Sequence, residues 1–356
     1  MIIKKESFSK PTAHKYDIIQ AFRFIAALMV IILHSTFYAS ERLSSDFRLY
    51  YQGANGVRLF FVISGFVMVL SSEGLKDKLG GWKIFAVKRI IRIVPIYWII
   101  TTYKLLIILF ASTLVLHAKP DILYIIKSYL FIPARNVDGS ISPLLGVGWT
   151  LNFEMFFYLM FTTALALRIN TLLFLSFIFI PLTILSFYQN PNWPDAKFYA
   201  NPIVLDFLYG MIIAKLILNN KKINKAFAIP MIIIGLLYLF LPVIPQLGSF
   251  SNNTFLIGFA GFLVIYGAAS IENQFGNKIP AWCIYLGGAS YSLYLIHPII
   301  APLSPTILKL LHFKFPYLSV FLSVTSAIFA GTLFFKFCET PLTRFMVKLS
   351  KKNKLI

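Results

Sequence analysis

Apolar residues run along this chain in blocks of roughly 20, the length a helix needs to cross the hydrocarbon of a bilayer. The blocks predict about ten transmembrane helices, over 18–38, 56–72, 93–115, 148–167, 171–188, 203–219, 226–243, 253–270, 282–303 and 317–338. Breakers and polar residues separate them, at Gly53–Asn55, Pro133–Gly139, Asn190–Pro194 and Asn201–Pro202. The second block is short and holds Arg58. The first follows Lys4, Lys5, Lys10 and Lys15, as a secretory signal would, but it is long for a signal and contains Arg23 and His34. It is therefore expected to be retained as the first helix. The chain shows no internal repeat or low-complexity tract, and the longest gap, about 116–147, is only loop-sized. Residues 1–356 are thus expected to form a single transmembrane domain, with a membrane core over 18–338 and a basic cytoplasmic tail over 339–356.

Composition strengthens this picture. Hydrophobic residues make up 58% of the 356 and charged residues only 13%, against about a quarter charged in soluble domains. A water-soluble fold of this size could not hide so much apolar side chain. The fold class is all-α, a polytopic membrane protein. The net charge of +20, from 33 Lys and Arg against 13 Asp and Glu, would suggest nucleic acid in a soluble domain. Here the basic residues lie between apolar blocks, so topology and contact with membrane lipids explain them. No nucleic-acid partner is expected.

Lys and Arg concentrate on the side that shares the N-terminus: the first tail, 72–93, 215–226, and from Lys336 onward. Arg42, Arg48, Lys119, Lys127, Arg135, Lys197, Lys309 and Lys314 lie on the other side. The asymmetry predicts an even helix count with both termini in the cytoplasm. Cys283 and Cys338 form no disulfide framework or zinc pattern, and no metal is expected.

Charge within a bilayer is costly, so intramembrane ionisable groups are the first candidates for chemistry. Arg23 and His34 are eleven residues apart, which at about 100° and 1.5 Å per residue puts them on one helix face, roughly 16 Å apart along the axis. A guanidinium suits phosphate, and a neutral imidazole suits taking a proton from a hydroxyl. Such a face fits a long donor with a phosphate head and a reactive tail. The structural alternative is that Arg23 snorkels and His34 is interfacial. Glu154 lies among apolar and aromatic residues and pairs by i, i+4 spacing with Tyr158; it serves either catalysis or a helix-bridging ion pair. Arg89 and Arg92, one turn apart at a cytoplasmic membrane edge beside Lys88, form either a phosphate clamp or an anchor for anionic lipid. The stretch Gly56–Phe66 includes Ser64 and small residues that permit close helix approach. Ser290–Pro298 places hydroxyls and an imidazole beside a proline, and Asp206 and Glu339 are further candidates.

Taken together and in order, these segments resemble the acyltransferase-3 family of membrane O-acyltransferases. The matching pieces are Arg23 with His34, Gly56–Phe66, Arg89 and Arg92 before Pro95–Trp98, Trp149–Tyr158, Asp206–Met211, Tyr291–Pro298, and Glu339 with Pro341. The Trp149–Tyr158 wording is similar to the branch that decorates bacterial exopolysaccharides. The resemblance implies an enzyme of the bacterial inner membrane. It would move an acyl group, usually acetyl, from cytoplasmic acyl-CoA to a hydroxyl of a carbohydrate or lipid-linked glycan. His34 would be the base and Arg23 would contact the donor phosphates. Arg89 and Arg92 would guard the donor entrance. Glu154 would join the catalytic set, with Tyr291 and Ser64 as substrate contacts. Many relatives carry an acid where Arg58 stands and a second carboxylate where Met155 stands, so no role for either acid transfers. No hydrolase-like domain is expected after the tenth helix, so the chain would complete the transfer alone or hand the acyl group to a partner. The residues taken alone leave two other readings open, a multi-pass transporter or flippase for a glycan or lipid, and a non-catalytic membrane partner in polysaccharide assembly.

Overall fold

A computed structural model describes residues 16–110, 121–136, 139–190, 192–241 and 253–353. The N-terminal lysines and Lys119 lie outside the described residues. The described chain is helical and contains no strand: α1 Asp17–Arg42, α2 Asn55–Ser72, α3 Gly81–Phe110, α4 Ile122–Tyr129, α5 Trp149–Ala166, α6 Thr171–Leu185, α7 Leu205–Leu218, α8 Lys225–Phe240, α9 Thr254–Phe275, α10 Ala281–Gly288, α11 Ser290–Ile300, α12 Leu303–Leu310, α13 Pro316–Phe334 and α14 Thr340–Lys352. The described part of every expected apolar block is mainly helical, and 111–115 and 242–243 of the expected blocks lie outside the described residues. Among the described residues, seven helical segments are both long and apolar enough to cross a membrane: Asp17–Arg42, Tyr51–Leu75, Gly81–Phe110, Thr171–Tyr188, Thr254–Lys278, Ser290–Leu310 and Pro316–Lys352. The other three blocks fall on α5, α7 and α8, of which α8 is apolar but only 16 residues long.

Polar residues at the block edges start the helices. Asp121, Asn170, Asn224 and Asn253 each accept a backbone N–H in the first turn of α4, α6, α8 and α9. Helix α1 starts without a cap of its own. Instead Glu272, near the end of α9, accepts from Asp17 N at 2.6 Å and from Ile18 N at 3.1 Å. A carboxylate on these orphan donors satisfies hydrogen bonds and complements the helix dipole.

Two boundaries differ from expectation, and both matter for the site. Helix α3 begins at Gly81, not near 93, so Arg89 and Arg92 sit inside a helix of 30 residues. At 1.5 Å per residue that helix is about 45 Å long, well beyond a hydrocarbon core of about 30 Å. Its amphipathic first turns therefore have length to spare and carry the arginines as helix surface. The expected block 282–303 breaks at Ala289 into α10 and α11. Beside the break, a Cβ on Gly287 would lie 2.0 Å from the Gln20 carbonyl oxygen, so α10 crosses α1 at backbone contact.

Helix α1 is central, packed on α2, α9, α10, α11 and α13, while α2 packs on α7 and α9. The α2–α7 crossing is also built on glycine. A Cβ on Gly65 would meet the Phe207 carbonyl oxygen at 2.1 Å, and one on Gly210 the Val62 carbonyl oxygen at 2.0 Å. Beside it, Phe157 and Phe61 stack on Phe207 with ring centroids 4.3 and 4.5 Å away. The outward faces of α6, α8 and α13 stay apolar and exposed, including Phe177, Phe227 and Phe321. Water would penalise those faces, whereas lipid solvates them.

Candidate active site

Helices α1, α2, α3, α5 and α11 enclose a cavity of about 170 Å³. Arg23, Ser64, Arg89, Arg92, Glu154 and Tyr291 line it together with Gln20, Thr150, Tyr158, Ser290 and Tyr294. Six of the seven expected site residues thus share one wall. His34 lines the far stretch of the same α1 face and is not part of the cavity lining.

Each side chain is placed by its local structure. Arg23 on α1 donates to Gln20 Oε1 at 3.3 Å, one turn earlier. Arg89 on α3 donates to Ser71 Oγ at 3.3 Å, and its guanidinium stacks 5.4 Å above the Phe85 ring. Its Nε is buried without a partner. Arg23, Arg89 and Arg92 form no ion pair within 4.0 Å among the described residues. Glu154 and Glu339 are within electrostatic range of Arg23 but are engaged with hydroxyls. Glu154 accepts from Ser64 Oγ at 2.8 Å and from the Tyr158 hydroxyl. Glu339, in a π-helical turn, accepts from Ser292 Oγ. The i, i+4 pairing of Glu154 with Tyr158 is therefore present as a hydrogen bond. Tyr291 spends its hydroxyl proton on the Ile93 carbonyl at 2.8 Å, close to where Pro95 interrupts the α3 ladder. Its hydroxyl is thus already engaged where the residue lines the cavity.

Rings of α11 stand between the cavity and His34. Tyr294 lines the cavity and anchors its hydroxyl by donating to the Val147 carbonyl at 3.0 Å. Its ring lies 5.7 Å from that of His297, whose ring lies 4.8 Å from that of His34. His34 Nδ1 lies 2.9 Å from the Val30 carbonyl oxygen. A carbonyl only accepts, so Nδ1 carries the hydrogen and the neutral ring keeps a lone pair on Nε2. Nε2 has no hydrogen-bond partner among the described residues. Ser290, Tyr294 and His297 belong to the candidate stretch Ser290–Pro298, which was given no role beyond Tyr291; the three-residue spacing of Tyr291, Tyr294 and His297 keeps those rings near one helix face. Thr150 was not among the expected site residues.

Two other candidates have structural work. Arg58 donates through Nε and Nη2 to Asp206, through Nη1 to Thr254 Oγ1 at 2.6 Å and through Nη2 to the Thr254 carbonyl at 2.7 Å. Asp206 is fully buried. The departure at Arg58 thus comes with an acid on α7 that pairs with it.

The chain was compared with known proteins. A family model for an acyltransferase domain, acyltransferase 3, matches residues 16–336. The exopolysaccharide production protein ExoZ of Rhizobium meliloti (strain 1021) is 33% identical over 281 residues, which cover 73% of this chain and 80% of that protein. No solved structure gives a significant match. The match spans α1 to α13 and so includes every helix that lines the cavity, and on that ground the chain belongs to the acyltransferase-3 family and is an O-acyltransferase.

Proposed function

We propose that this protein transfers an acyl group, in the first instance acetyl, from cytoplasmic acyl-CoA to a hydroxyl of an exopolysaccharide or other surface glycan. The observation that carries the reading is the convergence of three guanidiniums without carboxylate partners on one cavity, at one end of the α1 face whose other end holds His34. Guanidiniums bind phosphate in paired, charge-assisted hydrogen bonds. The similarity to ExoZ supports a polysaccharide acceptor.

In this reading ten helices cross the inner membrane of a bacterium with both termini in the cytoplasm, and residues 1–356 act as one domain. The donor enters from the cytoplasm with its phosphates on Arg23, Arg89 and Arg92, and its thioester reaches up α1 past Tyr294. His34 Nε2 takes the acceptor hydroxyl proton as the oxygen attacks the thioester carbonyl. Collapse of the tetrahedral intermediate expels the thiolate, which recovers the proton, leaving an ester and free CoA. Glu154, held by Ser64 and Tyr158, joins His34 in the catalytic set. Ser64 and the Tyr291 ring contact the substrate.

The test uses purified protein in nanodiscs with radiolabelled acetyl-CoA and a membrane glycan extract. Label should reach an alkali-labile glycan ester with the native chain and not with His34→Ala. Undiminished transfer by His34→Ala refutes the base. A folded native sample that neither transfers label nor binds any short acyl-CoA refutes the donor.

A further inference from the structure

We infer that His297 is a positioning residue for the His34 base, selecting its tautomer and stabilising the imidazolium formed during transfer. The inference rests on the proposed function for its catalytic half and on geometry alone for the rest.

His297 is fully buried on α11. Its Nδ1 lies 3.3 Å from the Leu293 carbonyl oxygen, one turn back in its own helix. The carbonyl accepts, so this Nδ1 also carries the ring hydrogen. His297 Nε2 is then a bare acceptor, and it lies 3.3 Å from His34 Nδ1. Only one arrangement satisfies all of these contacts. His34 Nδ1–H donates to both the Val30 carbonyl and His297 Nε2, and the His34 lone pair is left on Nε2. The opposite His34 tautomer would set two nitrogen lone pairs against each other in a buried site and leave the Val30 carbonyl without this donor, a costly loss.

The pairing matters most once His34 takes a proton. The ring becomes a cation with a hydrogen on each nitrogen, and its Nδ1–H becomes a charge-assisted donor. His297 Nε2 and the Val30 carbonyl are already aimed at it, and preorganised acceptors need no rearrangement as charge develops. Tyr38 and Tyr294 are the other rings beside the pair, and neither carries charge onto it. The two helices are 263 residues apart in sequence at this contact.

The test compares His297→Leu and His297→Gln with the native chain and with His34→Ala in nanodiscs. Three readouts are used: turnover, affinity for acetyl-CoA, and the 15N spectrum of labelled histidine. His297→Leu should lose turnover by about 10- to 100-fold, the range of a hydrogen bond to a charged group. Acetyl-CoA affinity should hold, because no cavity side chain changes. Gln, whose amide oxygen can accept from His34 Nδ1–H, should recover part of the turnover. The native spectrum should show His34, assigned by its loss in His34→Ala, as the Nδ1–H tautomer held by two acceptors, and His297→Leu, where the Val30 carbonyl remains the one acceptor, should show a measurable share of the other tautomer. Loss of donor affinity in step with turnover would mean that His297 only packs the helices. Full turnover by His297→Leu, or an unchanged His34 tautomer in it, overturns the inference. If the native chain transfers nothing, the proposed function fails, and the spectra still decide the tautomer claim on their own.

Discussion

Breaking the Arg58–Asp206 pair tests whether Asp206 is structural. In Asp206→Ala the guanidinium keeps Thr254 and loses its counter-charge, in a place where water cannot replace it. A Cβ on Gly258 would lie 2.3 Å from Asp206 Oδ1 and 2.9 Å from Arg58 Nη2, so α9 presses its backbone onto the pair. The side chains of Arg58 and Asp206 are 9% and 0% exposed. Removing one member of such a pair costs about 3–5 kcal/mol, whereas replacing both with apolar residues of similar volume is often neutral or better. With an unfolding entropy of about 2.1 cal/mol/K per residue over 356 residues, that cost lowers the melting midpoint by about 4–7 °C. Thermal unfolding in detergent, followed by the surviving monodisperse fraction, measures it. Asp206→Ala should melt lower by that amount, and Arg58→Met with Asp206→Leu should return close to the native midpoint. A double variant that melts like the single one refutes the pair as the cause. A double variant that folds normally but transfers no acyl group refutes the structural assignment and puts Asp206 in the chemistry.

Two further predictions concern the cavity and the α2–α7 crossing. Arg89→Ala and Arg92→Ala should each weaken acetyl-CoA binding by about 10- to 100-fold, the range of a charge-assisted hydrogen bond, and leave binding of a phosphate-free acetyl thioester unchanged; calorimetric titration reads both, and equal losses for the two donors would exclude phosphate recognition. Gly210→Ala should cost about 1–3 kcal/mol in thermal unfolding by forcing α7 off the Val62 carbonyl, whereas Gly74→Ala, with nothing within 4 Å of its Cβ, should cost little.

The fold was legible where one physical rule dominated. Lipid demands long apolar helices with internally satisfied backbones, so every apolar block became a helix and the Asn and Asp residues at their edges became caps. Boundaries failed where a second demand intruded. Lys83, Lys88, Arg89 and Arg92 made 72–93 look like a loop, because α3 begins well before the apolar block does. The crossing of α10 on α1 beside the break rests on Gly287 meeting Gln20, a contact far away in sequence. The site divided in the same way. Spacing within one helix showed the shared face of Arg23 and His34 and the pairing of Glu154 with Tyr158. No spacing rule reaches from His34 to His297, or from Arg58 to Asp206, because the partners lie on helices that only the fold brings together. The glycines of α2 suggested close approach, and the structure adds the partners: α1 at Gly56, where a Cβ would lie 2.4 Å from the Ala26 carbonyl oxygen, and α7 at Gly65, opposite Gly210.

The charge pattern of the cavity weighs on its own between an enzyme and a transporter. A proton relay needs groups that gain and lose protons near neutral pH, and a guanidinium keeps its proton in that range. The cavity holds three guanidiniums against one lining carboxylate, which accepts hydrogen bonds from Ser64 and Tyr158. Unpaired cations inside a membrane protein are costly to keep, and a ligand that brings negative charge offsets the cost. At about 170 Å³ the cavity is also smaller than the roughly 300–1,000 Å³ of sites that enclose a whole small molecule. In the proposed reading the donor would keep its nucleotide outside, rest its phosphates on the arginines and send only a slender arm inward, along the α1 face that carries His34.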